Sequence, residues 1–345
     1  VEQQPEKGRN GMGIVNRRGG IRVAAVGAAL AMMLSACGDD SGGTGAAADD
    51  GNDKVEVTLA LAVQSGCPFC ISIQRGAEAA AEELGVDLTV VSPKTADTAG
   101  QIQQLNGILA NSPDVLVLQP FDPAALLPVV QQFSDKGTPT ITVDSDLGDP
   151  KSRLGLISSD NEAGGKYAAD QLAELIGEEG KVLYVGYEPG LAGTDARRKG
   201  FEEQIATYPD IEYLGAQYSA DDQSVTAGQV SAALRSDPDL AGIFAGAEAH
   251  AIGTAAAVRE AGVEDDVSVV AFDGAPDEVQ AVEDGALDLL VVQKAYEMGE
   301  LAIQQAVAYA EDGTEPDGDT HPEYVAVTRD NMSDDEVSKY LYPAE

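Results

Sequence analysis

From Val55 onward, short apolar runs rich in β-branched residues alternate with longer windows of helical period, and that cadence leaves few architectures open. The first unit is the run Val55 to Val63 and a helix expected from about Pro68 to Leu84, where Ile73, Ala77, Ala80, Ala81 and Leu84 recur at spacings of three and four. Further strands are expected at Leu88 to Val91, Val115 to Leu118 and Thr140 to Val143, with helices near Thr98 to Ala110 and Pro123 to Asp135. A second series has strands near Leu154 to Ile157, Val182 to Val185, Ile211 to Tyr218, Gly242 to Phe244, Val267 to Ala271 and Leu287 to Val292. Strands apolar on both faces and joined by helices imply parallel sheets covered on both sides, so two series imply two doubly wound α/β lobes. The length of 345 residues also exceeds what one hydrophobic core serves.

In open α/β sheets a ligand sits beyond the carboxyl ends of the strands. The first polar residues reached there are Gln64, Gln119, Asp144, Asp273 and Gln293. Together they offer donors and acceptors to a hydroxyl-rich ligand, although Asp and Gln in such places also cap helices or satisfy turn amides.

Acidic residues outnumber basic ones 59 to 21, for a net charge of -38. A phosphate-binding face needs clustered Lys and Arg, so nucleic acid is excluded as a partner. The excess reads first as solubility and self-repulsion. Near the start, Arg17, Arg18 and Arg22 precede an apolar run, Val23 to Leu34, too short to span a bilayer. It ends in Leu34-Ser35-Ala36-Cys37, which resembles the bacterial lipoprotein signal in which the cysteine is lipidated; an ordinary secretory signal cleaved near Ala36 is the alternative. Residues 1–36 are thus expected to be a signal peptide. Residues 37–53, of Gly, Ala and Asp without large apolar side chains, are expected to be a leash.

Over Val55 to Asn331 the chain resembles the ribose-binding-protein-like family of periplasmic solute-binding proteins. The resemblance rests on Cys67-Pro68-Phe69-Cys70 through Gly76, Pro139 to Asp144, Ser159 to Gly165, Arg197 to Phe201, Ala271 to Gly274 and Val327 to Asn331, taken in order and spacing. It implies a periplasmic binding protein type I fold, with two Rossmann-like lobes joined by three crossovers and a ligand enclosed between them. The lobes would be 54–158 plus 294–322, and 159–293 plus 323–345. The implied role is the substrate-binding component of an ABC importer, monomeric, capturing a sugar or sugar-like compound for a membrane permease. A ligand sensor feeding a membrane signalling receptor would need the same lobes. By position Phe69 would pack on the ligand, Asp144, Arg197 and Asp273 would hydrogen-bond it, and Gln293 would lie at a crossover. The chain departs from the family's sugar binders at Cys67 and Cys70, at Ser145 where an Arg is frequent, and at Ala247-Glu248 where Asn-Asp is frequent.

Cys67-Pro68-Phe69-Cys70 also resembles the active-site turn of glutaredoxin-type enzymes, since a helix N-terminus lowers a thiol pKa. Such a domain would leave most of this chain unexplained, and a secreted context permits a quiet Cys67–Cys70 disulfide. With only His250 and His321 available, neither spaced to the cysteines like zinc ligands, no metal is expected, and no cofactor either. The sequence has no G-x-S-x-G elbow and no Walker loop, and the glycine-rich stretch Gly186 to Gly193 lacks the following Lys-Ser or Lys-Thr. Residues 1–53 contain no helix-turn-helix, so a repressor built on the same lobes is not expected.

Overall fold

Five short strands and three helices open the described chain: β1 (Glu56–Ala60), α1 (Pro68–Leu84), β2 (Asp87–Val91), α2 (Thr98–Ile108), β3 (Val115–Leu118), α3 (Pro123–Asp135), β4 (Thr140–Val143) and β5 (Gly155–Ile157). The computed structural model describes residues 54–63, 66–94 and 97–344, all within one compact unit, Asn52–Glu345. The strands form a parallel sheet in the order β2-β1-β3-β4-β5. All four residues of β3 and of β4 are buried, as strands covered by helices on both faces must be.

The second sheet follows α4 (Asn161–Leu175) and contains β6 (Glu179–Gly186), α5 (Ala192–Ile205), β7 (Asp210–Tyr218), α6 (Gln223–Ser236), β8 (Leu240–Ala245), α7 (Glu248–Ala261), β9 (Ser268–Phe272), α8 (Pro276–Asp284) and β10 (Leu289–Val292). Helix α9 (Ala295–Asp312) returns to pack on α1 and the first sheet, after which β11 (Val325–Val327) and the short α10 (Asp335–Ser338) end the chain. The order is β11-β10-β9-β8-β6-β7. The chain therefore passes between sheets three times, after β5, after β10 and before β11.

Helix boundaries follow local chemistry. Asp97, Asp122, Asp160 and Asp222 each accept a hydrogen bond from an amide in the first turn of α2, α3, α4 and α6, which satisfies donors the helix cannot. Part of the acidic excess is thus spent on caps. Glycine pairs bring helices into backbone contact: a Cβ on Gly165 would lie 1.8 Å from the Arg197 carbonyl oxygen, and one on Gly200 would lie 2.0 Å from that of Glu162. This α4–α5 contact is what places Arg197.

Two expectations change. The run Leu154 to Ile157 does not open the second series; it is the edge strand β5 of the first sheet, paired with β4. Its apolar pattern could not show which sheet it joins. The short strand β11 has no counterpart in the sequence reading and runs antiparallel to β10, because the chain enters it from the last crossing rather than through a covering helix. The expectations for residues 1–53, including Cys37, fall outside the described residues. No helix among the described residues is long and apolar enough to cross a membrane.

Candidate ligand-binding site

Both sheets present their carboxyl edges, where α/β sheets bind ligands, to the same region. Gln119 follows β3, Asp144 follows β4, Asp273 follows β9 and Gln293 follows β10. Gln64 lies outside the described residues.

Asp144 and Asp273 adopt φ of +68° and +92°, a region that residues other than Gly, Asn and Asp seldom visit. Such backbone persists only where its surroundings impose it. In the first lobe, the Gln119 amide donates to Asp144 Oδ2 at 3.1 Å while its Oε1 accepts from the Ala62 N–H. The Ser145 hydroxyl donates to the same Oδ2 at 3.3 Å. In the second, the Gln293 amide and the Tyr342 hydroxyl donate to Asp273 Oδ1 at 2.6 and 3.2 Å. Each carboxylate thus has one oxygen engaged by described donors, and its second oxygen is left for another partner. Burial pushes the Asp144 carboxyl above its ordinary value, helped by the charge of Asp273 and opposed by Gln119, Ser145 and Arg197.

Arg197 projects from α5 and is 6% exposed. Its guanidinium stacks 3.3 Å over the Phe272 ring, donates to the Gly246 carbonyl, and donates to Asn161 Oδ1 at 2.9 Å. Its Nε is buried without a partner. Phe69, in the first turn of α1, meets Tyr342 edge to face at 5.5 Å, so an aromatic of the first lobe touches one that holds Asp273. Cys67 and Cys70 form a disulfide, and the Cys67 sulfur accepts from the Cys70 N–H as the cap of α1. Among the described residues, no group of three or more His, Cys, Asp or Glu is arranged to hold a metal ion.

A cleft of about 480 Å³ is lined by Arg197, Glu248 and Asp273 together with Tyr187, Asp221 and Gly66. That volume suits a small solute. A larger hollow of about 750 Å³ lies at the opposite edge, around Leu240 and Val267 at the amino ends of β8 and β9, away from the paired aspartates. Of the residues singled out from sequence, Gln119, Asp144 and Ser145 form one group, and Arg197, Glu248, Asp273 and Gln293 form another. Sequence reasoning missed Tyr342, Asn161, Phe272, Tyr187 and Asp221. Asn161 lies inside the family-like stretch Ser159 to Gly165 and could have been found there; Tyr342 lies beyond every periodic element and carries no local signal.

Residues 59–315 match the family model described as a periplasmic binding protein domain. The ribose import binding protein RbsB of Salmonella typhimurium is 31% identical over 74% of this chain and 85% of its own length. A xylitol-binding protein of Mycolicibacterium smegmatis is 27% identical over 93% of this chain and 88% of its own. An ABC transporter solute-binding protein of Agrobacterium vitis, solved with α-D-tagatopyranose, superposes with a TM-score of 0.73 at 29% identity, covering 84% of this chain and all of that one. All three are named for solute binding, and two of them for import or transport. The chain belongs to the ribose-binding-protein-like family of extracytoplasmic solute-binding proteins, the substrate-binding components of ABC sugar importers.

Proposed function

We propose that this chain captures a small sugar-like solute between its lobes and delivers it, as a monomer, to a membrane permease. The observation that carries the reading is the pair Asp144 and Asp273, each fixed at a strand end with one oxygen engaged and the other free. An enclosed site strips water from its ligand, so every hydroxyl must find a partner there. Gln119, Ser145, Arg197 and Gln293 stand around these carboxylates, and Phe69 offers the apolar face that a sugar ring packs on. Relatives named for ribose and xylitol, and one solved with tagatose, support the solute class.

The lobes are proposed to be 54–158 with 294–322, and 159–293 with 323–345, closing about the three crossings. A thermal-shift screen of pentoses, hexoses and polyols tests the solute class, because a ligand bound by the folded state alone raises its midpoint. Small-angle scattering with the hit then tests closure, and an unchanged radius of gyration at saturation counts against it. The anchor is proposed to be Cys37, on the motif Leu34 to Cys37. Cys37→Ser should release the protein from membranes or leave it unprocessed; retention equal to the parent removes the anchor.

A further inference from the structure

The charges around the cleft do not balance. Asp221, Glu248 and Asp273 line it from the second lobe, and Arg197 is the one cation among its described lining residues. Asp144 adds a fourth carboxylate within electrostatic reach of Asp273 and Arg197. The guanidinium is already committed to Phe272, Gly246 and Asn161. Asp273 is engaged by Gln293 and Tyr342, and Asp221 accepts from the Tyr187 hydroxyl at 2.8 Å.

Glu248 differs from these. It is the first residue of α7, half-buried, and no described residue donates to its carboxylate or pairs with it. Burial raises its carboxyl above the ordinary value, and Asp273, Asp277 and Asp221 raise it further. Closing the cleft on a neutral solute would deepen that penalty, because it removes water while leaving the carboxylates facing one another. A bound cation would relieve it. Arg197 points independently to a hydroxylated frame, since it lines the cleft, is 6% exposed, and has terminal N–H donors beyond those given to Gly246 and Asn161.

We propose that the solute carries a protonated amine on a hydroxylated frame, an amino sugar or amino polyol, with its ammonium group paired to Glu248. This rests on the reading that the cleft holds a sugar-like solute. Hydroxyl oxygens would meet Arg197, hydroxyl hydrogens the free oxygens of Asp144 and Asp273, and the ammonium the unpaired carboxylate.

Calorimetric titration with matched pairs tests it: D-glucosamine against D-glucose, D-galactosamine against D-galactose, and 1-amino-1-deoxy-D-ribitol against ribitol, at pH 6.5. In at least one pair the amine should bind about tenfold tighter or more, and Glu248→Gln should erase that preference. If the neutral member binds as well or better in every pair that binds, the amine is overturned while the sugar-like reading stands. A preference that survives Glu248→Gln overturns the assignment to Glu248. If no member of any pair binds while the thermal-shift screen finds another neutral sugar or polyol, the amine is overturned and the sugar-like reading stands; a screen without any hit removes both.

Discussion

Asp144 and Asp273 hold the same place in the two sheets. Each follows the last residue of a parallel strand in a left-handed conformation, each sends its N–H to a carbonyl of the neighbouring strand, at Ile157 and Val291, and each has one carboxylate oxygen held by a glutamine. The repeat arises because both lobes solve the same problem, presenting a carboxylate where a strand must turn sharply into a loop. Asparagine tolerates the same backbone, so Asp144→Asn and Asp273→Asn separate charge from conformation. A hydrogen bond to a charged group contributes about 1.5 to 3 kcal/mol, or roughly ten- to a hundredfold in dissociation constant. Each variant should lose affinity by about that factor in calorimetric titration, with a ligand-free melting temperature no lower than the parent. Were the aspartates only turn-capping residues, stability would fall and affinity would hold.

The α4–α5 contact makes a second expectation, about Arg197. Gly165→Ala places a methyl group 1.8 Å from the Arg197 carbonyl oxygen, which is backbone and cannot rotate away. The helices must part, at a cost of about 1 to 3 kcal/mol, and the guanidinium moves with them. Both melting temperature and ligand affinity should drop. Gly107→Ala, in α2, meets nothing within 4 Å and should raise stability by about 0.5 to 1 kcal/mol with affinity intact. Equal behaviour of the two variants would refute the packing argument.

Much of this arrangement is written in local pattern, and some is not. Helices α1 and α3 and strands β3 and β4 match their expected bounds because Pro68 and Pro123 mark helix starts, and because Val115 to Leu118 is an uninterrupted apolar run and Thr140 to Val143 an unbroken β-branched one between turn signals. Strand β5 joined the wrong series, since three residues carry no record of their neighbours. The strand-end polar residues were legible by topology alone, and Arg197 only through the family-like stretch around it. Tyr342 was invisible because its role depends on the chain folding back so that its N–H bonds to the Gly274 carbonyl.

The Cys67–Cys70 bridge gives a third expectation. It closes a loop with a sequence separation of 3, so the entropy it removes from the unfolded chain corresponds to only about 2 kcal/mol. Reduction, or the double variant Cys67→Ser with Cys70→Ser, should lower the melting temperature by a few degrees. Affinity should weaken as well, because the bridge fixes the turn that presents Phe69 to Tyr342. An insulin-reduction assay should show no sustained turnover. Turnover abolished by Cys67→Ser would show that the bridge is redox-active.

Glu278 supplies a pH-dependent expectation whose sign can be worked out. The residue is 0% exposed; its Oε2 accepts from the Ala275 N–H and its Oε1 has no partner. Burial, then the charges of Asp273 and Glu248, raise its carboxyl well above the ordinary 4.5, against opposition from the Ala275 amide and Arg197. A carboxyl whose folded pKa is raised binds its proton more tightly in the folded state. Its contribution to stability is therefore fully present below the unfolded value and is lost as pH rises through the folded one. Glu278→Gln keeps the shape and the acceptor for Ala275 but cannot ionise. The variant and the parent should melt at similar temperatures near pH 4. As pH rises through the folded pKa of Glu278, the variant should gain on the parent, because only the parent must bury a charge or hold a proton against the solvent. Calorimetric melts across pH 4 to 9 read that difference directly, and a gap that stays constant or shrinks with rising pH would mean that Glu278 is ionised and satisfied in the folded protein.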